Sequence, residues 1–195
     1  EDKSVEKGAK KLVEGHYSGD LKAMCIHPKS GCFYTGGEDR RLIKWKFATE
    51  KRAEKIQALT NIIRCLDVNG NLNTLAVGFS NGTVEFYDAK PWLEGSSIYK
   101  QLQEPDKEVL GFVKFDRDGK YLAIGYSPPN ACIMLYDMMS NTKKTEVVLK
   151  GKPLHADFSN DSKFLQINTS QNEYLAFTLP TMQPLELKNF GQLKD

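Results

Sequence analysis

Residues 21–45 read LKAMCIHPKSGCFYTGGEDRRLIKW, and three later stretches follow the same grammar. They are IRCLDVNGNLNTLAVGFSNGTVEFYD (63–88), GFVKFDRDGKYLAIGYSPPNACIMLYD (111–137) and HADFSNDSKFLQINTSQNEYLAFTL (155–179). Each opens with an alternating apolar run, turns through polar residues and runs apolar again. Each then turns tightly and closes a third run on an aromatic: Trp45, Tyr87, Tyr136 or Phe177. Those aromatics are 42, 49 and 41 residues apart. Period-two alternation between Asn-Gly, Asp-Gly and Pro-Asn turns indicates antiparallel meanders. Gly82 and Gly119 fall where such turns need positive φ.

A fourth strand fits each gap, at Ala53–Leu59, Ile98–Gln103, Glu146–Leu149 and Leu185–Leu187. Lys51–Ala58 has some helical character, but its place in the repeat favours an outer strand. Four strands per 40–50 residues is the signature of propeller blades. One such sheet has two faces to cover and covers them by stacking on its neighbours. The chain is therefore expected to be all-β, with about four blades of four antiparallel strands. The blades span 13–60, 61–104, 105–151 and 152–190. Residues 1–12 form a charged lead-in, with Ala9–Val13 as an outer strand of a preceding blade, and 191–195 begin a truncated segment. Propellers of this kind usually need about seven blades. The expectation is an incomplete propeller, completed by the parent chain or another copy; a closed four-bladed ring is the alternative.

Composition sets further bounds. The 195 residues are 40% hydrophobic and 27% charged, with a net charge of +2. So small a charge gives no support for nucleic acid as partner. No apolar run is long enough for a membrane span. Cys25, Cys32, Cys65 and Cys132 lack CxxC spacing and sit in strand-like runs, which points to buried free thiols in a reducing compartment. His27 and His155 have no ligand-spaced partners and are expected at surface turns or strand ends, so no metal or other cofactor is expected. Arg40, Arg41, Lys44, Lys46, Lys51, Arg52 and Lys55 crowd sixteen residues offset by Glu50 and Glu54. That cluster reads as a solvated blade edge or as a docking surface for an acidic partner. The Ala89–Lys100 connection carries Trp92, a binding anchor or a loop-packing residue. Pro128-Pro129-Asn130 reads as an insertion or a contact.

The first repeat resembles the WD-repeat consensus. It has Gly15-His16, then Thr35-Gly36-Gly37, Asp39 in the turn, and Trp45-Lys46 where the family has Trp-Asp. Tyr87-Asp88 and Tyr136-Asp137 are common variants of that last pair. The resemblance implies a buried hydrogen-bonded tetrad of His16, Thr35, Asp39 and Trp45. The same residues mimic a Thr-His-Asp nucleophile set, but a nucleophile must be exposed and served by an oxyanion hole. Thr35 ends an apolar strand, so no enzyme is expected. The later repeats resemble a narrower group, the echinoderm microtubule-associated-protein-like family, and most closely its second propeller. The resemblance rests on Ile26-His27-Pro28, on Asp118–Gly125 (DGKYLAIG) and on Asp157–Asn168 (DFSNDSKFLQIN). It implies a cytoplasmic, cytoskeletal scaffold whose partners are proteins, microtubules among them. A generic WD adaptor in a ciliary, ubiquitin-ligase or trafficking assembly is the alternative. Contacts are expected on the rim formed by the second-to-third-strand turns: Tyr17, Glu38, Arg40, Asn81, Pro129 and Gln171, with Arg41, Lys44 and Lys46 from the basic cluster.

Overall fold

Alternating side chains let each segment bury one face and then the other, and the result is four sheets of four strands. The computed structural model describes residues 15–49, 53–89, 98, 100–104 and 109–185. Blade 1 comprises β1 (Leu21–Ile26), β2 (Cys32–Gly37), β3 (Arg41–Lys46) and β4 (Ala53–Ala58). Blade 2 comprises β5 (Ile63–Asn69), β6 (Thr74–Phe79), β7 (Val84–Asp88) and β8 (Lys100–Leu102). Blade 3 comprises β9 (Leu110–Phe115), β10 (Tyr121–Tyr126), β11 (Cys132–Asp137) and β12 (Thr142–Val148). Blade 4 comprises β13 (Pro153–Phe158), β14 (Phe164–Thr169), β15 (Tyr174–Thr178) and β16 (Gln183–Pro184). Every pairing is antiparallel and sequential.

The repetition extends to single hydrogen bonds. The residue after each second strand donates its N–H to the residue before or at the start of the first. The four pairs are Glu38 to Asp20, Ser80 to Ile62, Ser127 to Val109, and Ser170 to Lys152, at 2.7–3.0 Å. Each inner strand also carries one residue out of register against its neighbour: Lys22, Arg64, Gly111 and Leu154. Gly82 and Gly119 take φ of 82° and 77° in their turns, where a side chain would be strained.

Inner strands β1, β5, β9 and β13 pack side by side, so the blades form an arc of a propeller. Their turns interlock on one rim: Asn69 and Asn71 donate to the Asp116 and Arg117 carbonyls, and Pro28 packs on Gly70. Three apolar layers fill the spaces between blades. Tyr34, Leu42, Ile63, Val77 and Phe79 form the first. Phe86, Val113, Ile124 and Met134 form the second, and Phe112, Ile133, Leu165 and Ile167 the third. The outward faces differ. Met24 and Ile26 on blade 1 stay 61% and 56% exposed, because nothing among the described residues covers them. All four cysteines are free and buried; burial pushes the Cys65 thiol up to about 12.

The outer strands depart most from expectation. β12 begins at Thr142, not Glu146, because its first half is polar and solvent-facing, and apolar alternation does not mark it. β16 is Gln183–Pro184, following a tight turn at residues 179–182; of the expected Leu185–Leu187, residues 186 and 187 lie outside the described residues. β8 is only three residues long. His27 is buried, not a surface turn residue, and its Nδ1 accepts the Lys29 N–H at 3.1 Å. Ala9–Val13, Lys51, Arg52, Trp92 and 191–195 lie outside the described residues.

Candidate functional site

Blade 1 brings the four WD-like residues together. The loop 15–20 leads into β1 beside the β2–β3 turn, which carries Asp39. His16 Nδ1 lies 2.9 and 3.0 Å from the two Asp39 oxygens, and its Nε2 lies 2.8 Å from Thr35 Oγ1. Trp45 Nε1 donates to the same Thr35 oxygen at 2.7 Å. The geometry fixes a direction. A carboxylate only accepts, so Nδ1 carries the proton. In the tautomer with only Nδ1 protonated, Nε2 accepts from the Thr35 hydroxyl, which in turn accepts from Trp45. One file of donors runs from Trp45 through Thr35 and His16 to Asp39. The Asp39 oxygens also take the Arg41 N–H at 3.2 Å and the Tyr17 N–H at 3.4 Å, which ties the turn to the loop. Thr35 is buried and its single oxygen serves both neighbours. Trp45 is half-buried and stacks on Phe33, with ring centroids 5.9 Å apart.

Blades 2–4 place Val77, Ile124 and Ile167 where blade 1 has Thr35, as the register against the inner strand shows. All three are fully buried. In those blades an apolar contact replaces the polar file.

The rim above this file is mixed in charge. Tyr17 is 69% exposed, and the Arg41 guanidinium sits 4.1 Å from its ring centroid. Arg40 is exposed and holds φ at 59°. Lys22 bridges Asp20 at 2.6 Å and Glu38 at 3.2 Å. The Asp20 amide and Lys22 hold the Glu38 carboxyl below its usual range. Asn81, Pro129 and Gln171 are exposed in the equivalent turns. Asn81 accepts the Thr83 N–H, and Gln171 donates to the Lys150 carbonyl, so both also serve their own loops.

The basic cluster is not one patch. β3 is six residues long, and at about 3.3 Å per residue Arg41 and Lys46 stand at opposite ends of it. Lys44 does not face solvent, contrary to its reading as a contact residue. Its side chain is 10% exposed, and its ammonium pairs with Glu54 at 3.3 Å. Glu54 reaches it from a β-bulge opposite Lys44 and Trp45 and also binds Lys46 at 2.6 Å. Burial pushes the Glu54 carboxyl up, but Lys46 and Lys44 outweigh it, and the net shift is downward.

A groove of about 570 Å³ runs along the four inner strands. Three of its residues were missed in sequence: Asp67, Lys114 and Asp157. Each looks like an isolated charge, yet each stands three places after the out-of-register residue of its inner strand. Aligning the repeats on that position would have found them. Among the described residues, no group of three or more His, Cys, Asp or Glu forms a metal site.

Comparison with known proteins places these features. The family described as the echinoderm microtubule-associated protein second beta-propeller matches residues 21–195. Echinoderm microtubule-associated protein-like 3 of Homo sapiens is 29% identical over 178 residues, covering 88% of this chain and 19% of that protein. The 77 kDa echinoderm microtubule-associated protein of Lytechinus variegatus is 24% identical over 180 residues, 89% of this chain and 26% of that protein. WD repeat-containing protein 82 of Drosophila melanogaster is 29% identical over 152 residues, 73% of this chain and 45% of that protein. The chain thus spans less than half the length of each of these relatives.

Proposed function

Because the chain belongs to the echinoderm microtubule-associated protein second β-propeller family, we propose that it is a non-catalytic platform that docks microtubules through the rim of blade 1. The fold supports a protein-interaction propeller. Two of the relatives are named for microtubule association, and that association is extended here to this chain. The observation that carries the reading is the pair Arg40 and Arg41 on an exposed rim, with Arg41 braced over Tyr17. A guanidinium held over an aromatic face loses less freedom on binding an acidic surface. Tubulin presents such a surface. The Thr35, His16 and Asp39 file is assigned a structural role, since its hydroxyl is buried and doubly engaged. A cytoplasmic, cytoskeletal location follows from the same reading.

The test is co-pelleting of the full-length protein with stabilised microtubules across a salt series. Pelleting should weaken as salt rises, because exposed charge pairs are screened beyond about 10 Å at 0.1 M ionic strength. Arg40→Asn with Arg41→Gln should weaken it at every salt concentration, and Asn tolerates the left-handed backbone at position 40. Lys46→Gln, at the other end of β3, should leave it unchanged. Absence of pelleting at low salt by folded protein would favour the second reading, a WD adaptor in another assembly, for which the similarity to WD repeat-containing protein 82 speaks.

A further inference from the structure

The four out-of-register residues, Lys22, Arg64, Gly111 and Leu154, all line the groove along the inner strands. A bulge takes its extra residue out of the regular alternation and re-aims the side chain. Here it turns two cations, Lys22 and Arg64, toward the same open space. Gly111 brings no side chain, and Leu154 is partly exposed and apolar.

The charges of the groove are settled everywhere but at Arg64. The lysines and arginines that line it are Lys22, Arg64 and Lys114. Lys22 bridges Asp20 at 2.6 Å and Glu38 at 3.2 Å, and Lys114 lies 3.7 Å from Asp157. Arg64 makes no hydrogen bond or ion pair among the described residues. Asp67, the carboxylate on its own strand, instead accepts the Phe115 N–H at 2.7 Å. The Arg64 Nε–H is buried and meets no acceptor, while the residue as a whole is only half-buried. An enclosed donor on a charged group costs more than a neutral one, and folded proteins leave few such groups unanswered. Moving outward to meet an anion would bring Nε–H out of that enclosure, so binding also relieves the cost.

The surroundings select the kind of anion. A guanidinium fork meets one planar carboxylate with two parallel hydrogen bonds. Asp67 and Asp157 line the same groove, and Asp20 and Glu38 hold Lys22, so a polyanion would be repelled where a single carboxylate is not. Met24 and Leu154, 61% and 40% exposed, give the groove apolar walls as well. We infer that Arg64 is an anion-binding residue of this groove, and that it holds one carboxylate side chain of an extended peptide whose neighbouring residues are apolar. The site uses neither Arg40 nor Arg41, so it is a second protein contact beside the one assigned to the blade 1 rim.

A library of short random peptides displayed on phage, panned against the folded full-length protein, tests the assignment. Selected peptides should carry one Asp or Glu among apolar residues. Changing that acid to its amide in a synthetic peptide, or Arg64→Gln in the protein, should each weaken binding about tenfold or more. The two changes together should weaken it no further than either alone, since both remove the same pair. Arg64→Gln strands no partner charge and should keep the wild-type melting temperature. Arg64→Lys keeps the charge without the fork and should bind between the two. Peptides that bind the Arg64→Gln protein as tightly as wild type, or a selection without acidic residues, would overturn the proposal. Tighter binding of inositol hexaphosphate than of the peptide at Arg64 would overturn the choice of a single carboxylate. Arg40→Asn with Arg41→Gln should leave peptide binding unchanged; a loss there would place the peptide on the blade 1 rim and overturn the separate site.

Discussion

Replacing Thr35 with Val removes one oxygen and keeps the shape of the side chain. That oxygen accepts from Trp45 Nε1 at 2.7 Å and pairs with His16 Nε2 at 2.8 Å. The variant loses two hydrogen bonds, each worth about 1 kcal/mol net, and leaves two ring nitrogens to find water. Trp45 and His16 are half-buried, so part of their desolvation is recovered. The expected loss is therefore about 2–3 kcal/mol, not the larger penalty of a fully enclosed orphan. Thr35→Ser keeps the oxygen and should lose about 1 kcal/mol or less, for the missing methyl. Amide hydrogen exchange of β2 and β3 in the full-length protein measures the difference locally. A loss of 2–3 kcal/mol should speed exchange by local opening about 30- to 150-fold in the Val variant. The Ser variant should lie near the wild type. If the Val variant exchanges at the wild-type rate, the file from Trp45 to Asp39 does not hold blade 1 together, and the directional account of its protons is wrong.

Two further predictions follow from the buried charges. Glu54→Ala strands the Lys44 ammonium and should destabilise blade 1 by about 1–3 kcal/mol, whereas Lys44→Met should stay within about 1 kcal/mol of wild type; urea midpoints compare them. Burial raises the Asp67 carboxyl above its usual range, against the pull of Lys114 and the Phe115 N–H. An acid raised in the folded state is easiest to bury protonated. Its contribution is complete below the ordinary aspartate value and is lost as pH rises through the raised one. Asp67→Asn keeps an acceptor for Phe115 and should flatten that decline; an unchanged slope of stability against pH would refute it.

The meander and its period were legible because strands buried on both faces leave strong marks. Leu75, Ala76 and Val77, or Leu122, Ala123 and Ile124, are apolar at every position since both faces meet another blade. The outer strands were blurred for the opposite reason: β12 starts with Thr142, Lys143 and Lys144 facing water, and backbone pairing to β11 holds it without an apolar signal. The site divides along the same line. His16, Thr35, Asp39 and Trp45 could be proposed from sequence because their types and spacing match a known pattern, and their contacts are local to one sheet. The basic cluster misled because proximity in sequence is not proximity on a strand. Over β3, alternate residues face opposite neighbours and the ends belong to opposite rims, so Arg41, Lys44 and Lys46 part company. One is braced over Tyr17, one is drawn inward by Glu54, and one shares Glu54 from the far end. The charge row of Asp67, Lys114 and Asp157 shows the converse. Its members are more than forty residues apart in sequence, and blade stacking alone aligns them along one groove. In a propeller, then, charges that act together recur at the repeat period instead of clustering along the chain. The period is the window in which such a surface has to be read.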